Sequence, residues 1–446
     1  MDAIINLIRR DGRTAQVLNP EQTIILQKWR HLASHDLKST DRWRIPTLVD
    51  NENNRKIALE FRGEYAAIVI NTIDKALKGN LVSDTTRSHA FKLMRKLAGA
   101  SRQVPKSYLV GTFTRCKVEK NVIASGGYAD IRKGRLKGMD VAIKTIRTSL
   151  EIDVDEVHEA FCKECVLWMN ISHANILQLI AVKVKPHARK FSMISEMMTN
   201  GNILNHINNE KANRIRLLED VAKGLECLHK CDIIHGDLKG PNILINNETP
   251  PRACISDFGL CAIVPSKSFG PTGMGVCGTF GYMAPELFSE GAKASKEADM
   301  YAFGMVVYEV TTGVRLYRDR RPFELPLLTT RGLRPPRPED PDAVGFGQGT
   351  WEFTEKCWNE DGKRRPTARE AAEHFERVAK TSTIVDPGPT IPIHEPVGEA
   401  HSRLGNSSKG LSKLFAQPST NGLGRLQQTT YTARVLASNR VASPLL

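Results

Sequence analysis

Three side chains in this 446-residue chain have the types and spacing to accept a proton and to hold a metal ion. Asp237 and Asn242 stand in the run HGDLKGPN (235–242), and Asp257 opens DFG (257–259) fifteen positions after Asn242. A carboxylate beside an acceptor hydroxyl can take its proton, while a second carboxylate and an amide offer the hard oxygen donors that magnesium favours. Lys239, two residues beyond Asp237, could balance charge building on a group in transfer. Upstream, Lys144 closes VAIK (141–144), and downstream Ala284-Pro285-Glu286 follows. Asp and Asn are also the commonest turn residues, so each taken singly would read as loop punctuation. Their order is what points to chemistry.

Apolar periodicity shows which elements must hold these groups. KVEKNVIA (117–124), IRKGRL (131–136) and DVAIKTI (140–146) are short Val/Ile-rich runs with Gly at the turns, a strand meander that carries Lys144. Residues 153–170 return to helical spacing, with Phe161, Cys165 and Trp168 along one face. From about 201 to 379 the chain reads as mainly helical. Leu217, Val221, Leu225 and Leu228 mark one helix, and Met305 to Val310 another that Gly313 ends. Cys162 and Cys165 form a C-x-x-C, but inside a helix cysteine serves as a small hydrophobe rather than a metal ligand.

Residues 1–105 read as a separate helical module. Asn19-Pro20 supplies an N-cap and a first-turn proline before Ile25, Trp29 and Leu32. Phe61, Tyr65, Ile68 or Val69, Thr72 and Leu77 form a second stripe stopped by Gly79, and Phe91, Met94 and Leu97 mark a third helix before Gly99. These stripes read as the module's own core, with a protein partner the alternative use. After residue 380 the composition turns to Pro, Gly, Ser, Thr and Asn, which predicts a disordered tail.

The formal charge of +14 raises the question of nucleic acid. Residues 1–105 hold 18 Lys/Arg against 11 Asp/Glu and residues 380–446 hold 7 against 3, so those ends carry +7 and +4 and the middle only +3. No stretch interleaves basic and aromatic residues as a nucleic-acid groove would, and a solubilising surface is the expectation. The start MDAIINLIRR has too short an apolar stretch for a secretory signal, and no run is long enough to span a bilayer. Nine scattered cysteines suit reduced thiols. A cytoplasmic protein without a membrane partner, with the nucleus as second choice, is expected.

Taken together, VAIK, HGDLKGPN, DFG and Ala284-Pro285-Glu286 resemble the signature set of a eukaryotic protein kinase. CWNEDGKRRPT (357–367) and HGDLKGPNILI lean toward its tyrosine-kinase-like group, and in particular the fungal expansion of that group. The resemblance covers about residues 116–379. It implies an α+β, bilobal kinase fold: a β-rich N-lobe (116–198) and a helical C-lobe (199–379), preceded by the all-α module and followed by the tail. It further implies ATP and Mg2+ as cofactors and proteins as substrates.

By that resemblance, Asp237 is the proton acceptor, and Asn242 and Asp257 hold magnesium. Lys144 meets the α- and β-phosphates and pairs with Glu164, with Glu159 the alternative. Ile123, Ala124, Ser125, Gly126, Gly127, Tyr128, Ala129, Asp130 and Ile131 resemble the glycine-rich loop over the phosphates, with Ala124 and Ala129 where the family has glycine. Ala142 and Leu244 would enclose adenine, Ser195 would be a small gatekeeper, and the backbones of Glu196 and Met198 would meet the adenine edge. Glu286 should pair with Arg365, and Asp299 should tether the catalytic loop. Gly236 departs from the family's usual arginine, which removes an anchor for a phosphorylated activation loop. Lys239, with Thr279 seven residues before Glu286, is the serine/threonine pattern. A pseudokinase and a dual-specificity kinase are the alternatives.

Overall fold

The computed structural model describes residues 16–37, 41, 43–110, 116–125, 129–147, 153–209, 212–258, 279–289, 291–339 and 347–381. The expected tail, apart from its first two residues, lies outside them, as do Gly126, Gly127 and Tyr128 of the glycine-rich stretch.

Helices α1 (Pro20–Ala33), α2 (Arg44–Val49), α3 (Glu52–Leu59), α4 (Gly63–Lys78) and α5 (Asp84–Ser101) form the N-terminal layer. Asn19 caps α1 through a reciprocal box with Gln22, and Pro20 fills the first turn, where a missing N–H costs nothing. Trp29, Ile45, Phe61, Ile70 and Met94 are buried between these helices. Gly79 does close α4. Gly99, by contrast, does not end α5, which runs on to Ser101 and finishes with Arg102 in the left-handed conformation. Its role is close approach: a Cβ at Gly99 would lie 2.3 Å from Cε of Lys163 on α6 (Val154–Met169).

The strand meander forms as predicted. Strands β1 (Cys116–Ser125), β2 (Ala129–Leu136), β3 (Met139–Ile146), β4 (Leu179–Lys185) and β5 (Lys190–Glu196) make one antiparallel sheet in the order β1-β2-β3-β5-β4. Below it come α7 (Ile203–Asn209), α8 (Arg214–Lys230), the hairpin β6 (Ile243–Ile245) and β7 (Ala253–Ile255), and α9 (Lys296–Thr312). Then α10 (Leu325–Thr330), α11 (Gly347–Cys357) and α12 (Ala368–Thr381) complete the helical lobe. Helix α9 is buried from Ala298 to Thr312, on every face rather than along one stripe, and Gly313 caps it.

The apolar side chains of the N-terminal layer, of α6 and of the helical lobe join in one cluster, from Trp29 and Leu97 through Phe161 to Phe303 and Phe375. Cys162 and Cys165 are buried in α6, and burial pushes both thiols up, away from the thiolate form. Among the described residues, no helix is long and apolar enough to cross a membrane.

Candidate active site

The register of the sheet gathers the upper half of the site. Ala124 stands opposite Ile131, Ile131 opposite Lys144 and Lys144 opposite Met193, while Ala142 stands opposite Ser195. Directly paired residues share a face and alternate residues return to it, so Ala124, Ala129, Ile131, Ala142, Lys144 and Ser195 occupy one side of the sheet. Ile123 lies outside that row on the outer strand and is 47% exposed. Ser125 and Asp130 are opposite each other, and their polar atoms are engaged: the Ser125 hydroxyl donates to Asp130 at 3.0 Å, and Arg147 donates to the same carboxylate at 2.7 Å. The Arg147 hydrogen bond holds the Asp130 carboxyl below its ordinary pKa.

The lower half is built on the turn between α8 and β6. Asp299, buried at the start of α9, accepts the backbone N–H groups of His235 at 2.8 Å and Gly236 at 2.9 Å, and its Oδ2 lies 2.9 Å from His229 Nε2. Gly236 sits at φ +77°, where a side chain would be strained. This tether presents Asp237. Lys239 Nζ donates to Asp237 Oδ2 at 2.6 Å and to Thr279 Oγ1 at 2.8 Å, and Thr279 Oγ1 donates to Asp237 Oδ1 at 3.2 Å. Asn242 Nδ2 donates to the Asp237 carbonyl at 2.8 Å. The side-chain oxygen of Asn242 and the Asp257 carboxylate are then the oxygen donors available to a cation that fills its shell with phosphate and water.

Lys144 Nζ joins the two halves by meeting Asp257 Oδ2 at 2.6 Å. The expected Lys144–Glu164 pair is not made, and this corrects the sequence reading. Glu164 instead accepts from Arg95 Nη2 of α5 at 2.9 Å. Glu159, the alternative, pairs with Lys163 at 2.5 Å, one turn along its own helix. The cause is the N-terminal layer: α5 packs along α6 and brings a guanidinium to a carboxylate that is only 5% exposed. Burial raises the pKa of Glu164, and Arg95 opposes that rise. Nothing local in the sequence marks Arg95. Only the packing of two helices far apart in the chain could have revealed it.

Trp168 and Phe258 of DFG nonetheless pack together, ring centroids 5.1 Å apart, and Trp168 Nε1 donates to the Leu177 carbonyl at 2.6 Å. At the lobe link, Met197 donates its backbone N–H to the Asp140 carbonyl at 3.3 Å, and Asn247 Nδ2 donates to the Met197 carbonyl at 2.8 Å. Glu196 is exposed, Met198 half-buried, and Leu244 on β6 packs against the main core. The predicted Glu286–Arg365 pair is present as a fork, at 2.6 and 2.8 Å.

A family model described as protein kinase domain matches residues 118–375. The chain is similar to the serine/threonine/tyrosine-protein kinase HT1 of Arabidopsis thaliana, 30% identical over 255 residues, 55% of this chain and 62% of that one. It is 28% identical over 264 residues to the serine/threonine-protein kinase STY46 of the same plant, 58% of this chain and 43% of that one. To the dual specificity protein kinase shkE of Dictyostelium discoideum it is 28% identical over 276 residues, 60% of this chain and 37% of that protein. The chain thus spans less than two thirds of the length of these curated relatives. A sheet that carries Lys144, a tethered loop that carries Asp237, and a family match over more than half the chain agree, and the chain belongs to the protein kinase family, tyrosine-kinase-like in type.

Proposed function

We propose that this protein transfers the γ-phosphate of ATP to serine and threonine hydroxyls of protein substrates. The observation that supports this best is the triangle of Asp237, Lys239 and Thr279. Asp237 takes the proton of the acceptor hydroxyl. Lys239, held by Asp237 and Thr279, places its ammonium where negative charge grows on the group in transfer. Lys144 serves the phosphates of the nucleotide. The face formed by Ala124, Ala129, Ile131, Ala142 and Ser195 covers it, with Leu244 beneath the base and the backbones of Glu196 and Met198 along its edge. Asn242 and Asp257 would hold magnesium, which when bound neutralises phosphate charge. The remainder of catalysis is positioning, which effective-molarity arguments value at several kcal/mol, about 7–11 at best.

Acceptor choice follows from reach. A phenolic hydroxyl stands several ångströms further from its peptide backbone than an aliphatic one, and a misplacement of about an ångström can cost about a hundredfold. Dual specificity is the second reading, favoured by the names of two relatives, a serine/threonine/tyrosine kinase and a dual specificity kinase. The test is phosphosite mapping after incubation with ATP, magnesium and degenerate peptides bearing Ser, Thr or Tyr, with Asp237→Asn as the blank. Phosphate on Ser and Thr alone supports the proposal. Tyrosine alone overturns it, and both classes together establish the second reading.

A further inference from the structure

We propose that the N-terminal helical layer is a built-in inhibitor that acts by holding Glu164 on Arg95, out of reach of Lys144. The inference deepens the kinase reading above and rests on it.

Helices α5 and α6 run antiparallel and touch at three successive places. Arg95 meets Glu164 at 2.9 Å, Gly99 gives way to Lys163, and Arg102 forms an ion pair with Asp155. The layer therefore grips α6 along its length, and at Gly99 a side chain would have to push the Lys163 stem aside. The far end of α6 is already seated: Trp168 packs on Phe258 and donates to Leu177. What is left unmade is one ion pair. Lys144 is held by Asp257 at 2.6 Å and Glu164 by Arg95, so each has found another partner while the helix that carries Glu164 is docked at its C-terminal end.

The Arg95 contact has the character of a catch rather than a fixture. It uses a single N–H, through Nη2, and the Arg95 Nε is buried with no hydrogen-bond partner. A guanidinium that forks a carboxylate, as Arg365 does with Glu286, engages two. The charged groups facing Glu164 are Arg95 and its own neighbour Lys163, and Lys163 is already paired with Glu159. Removing Arg95 leaves a buried carboxylate without the cation that holds it, which frees Glu164 to pair with Lys144 and shifts the equilibrium toward that arrangement.

The experiment compares the full chain with Arg95→Ala, Arg95→Lys and Arg102→Ala. Two readouts are taken: initial rate on the degenerate peptides, and affinity for a non-hydrolysable ATP analogue with magnesium by calorimetry. Arg95→Ala should raise the rate by about fivefold or more, the usual lower range for coupling between sites, and tighten the nucleotide. Arg95→Lys should stay near wild type, because an ammonium still captures the carboxylate. Arg102→Ala should leave both readouts near wild type, because it loosens the same two helices without freeing Glu164. A folded Arg95→Ala protein with unchanged rate and unchanged affinity overturns the proposal, as does an equal gain in Arg102→Ala. If no variant transfers phosphate but Arg95→Ala still tightens the nucleotide, the inhibitor stands and the transfer reading falls.

Discussion

Lys144 and Asp257 meet at 2.6 Å, Nζ to Oδ2, and both are largely screened from solvent, with side chains 16% and 22% exposed. Under the proposed function each serves the cleft rather than the packing of the core. Lys144→Met and Asp257→Ala are therefore expected to lower the rate of phosphoryl transfer by at least about a thousandfold, since electrostatic elements of this kind are worth several kcal/mol. Circular dichroism and melting of each variant check that the loss is chemical. An inactive protein that has also unfolded would show these residues to be structural.

Thr279 offers a finer probe of the same site. Its hydroxyl is the vertex shared by Lys239 and Asp237, so Thr279→Ala should cost about ten- to a hundredfold in kcat by loosening both. Thr279→Ser keeps the hydroxyl and should recover most of the rate. Equal loss in both variants would locate the effect in the methyl group instead.

Arg365 and Glu286 are unequal partners. The Arg365 side chain is fully buried and also donates to the carbonyls of Asn359 and Glu297, whereas Glu286 remains 40% exposed. Arg365→Ala removes a buried guanidinium together with its hydrogen bonds to Glu286, Asn359 and Glu297, and should destabilise the helical lobe by about 3–5 kcal/mol. Glu286→Gln keeps one acceptor oxygen for the guanidinium and leaves Arg365 its two backbone carbonyls, so it should cost less than that. Urea titrations of the two variants measure the difference.

Acid should weaken the fold through histidine. His374 stacks on Phe353 with ring centroids 4.4 Å apart, and its buried Nε2 has no hydrogen-bond partner. Burial, followed by Arg377 and Lys356, lowers its pKa from 6.5 to about 4. Between those values the unfolded chain takes a proton that the folded one refuses, so this contribution is intact above pH 6.5 and is lost as pH falls toward 4. His158 and His173 are shifted in the same direction, chiefly by burial. His374→Phe should flatten, without abolishing, the fall of Tm between pH 6.5 and 4.

Much of the site was readable because its parts are local. HGDLKGPN and DFG place Asp237, Asn242 and Asp257 within about twenty positions, and the strand pattern around VAIK predicted which elements present Lys144. Capping chemistry at Asn19-Pro20 and the stop at Gly79 were equally short-range. The errors came where tertiary contacts overrule local signals. Gly99 looked like punctuation, yet it is the gap that lets α5 lie on α6. Glu164 stood at the offset expected for the partner of Lys144, yet its partner lies 69 positions upstream.

Trp29 and Leu97 share one apolar cluster with Tyr108, Val157 and Phe161. The layer is thus foundation as well as neighbour to the lobe that carries Lys144. A lineage that discarded it would bare oily flanks on α6 and risk clumping before it gained any freedom of action. Its history should be one of joint drift, in which a bulkier residue on α5 survives only when α6 shrinks to meet it. Such matched changes would be the trace of that bond across related chains.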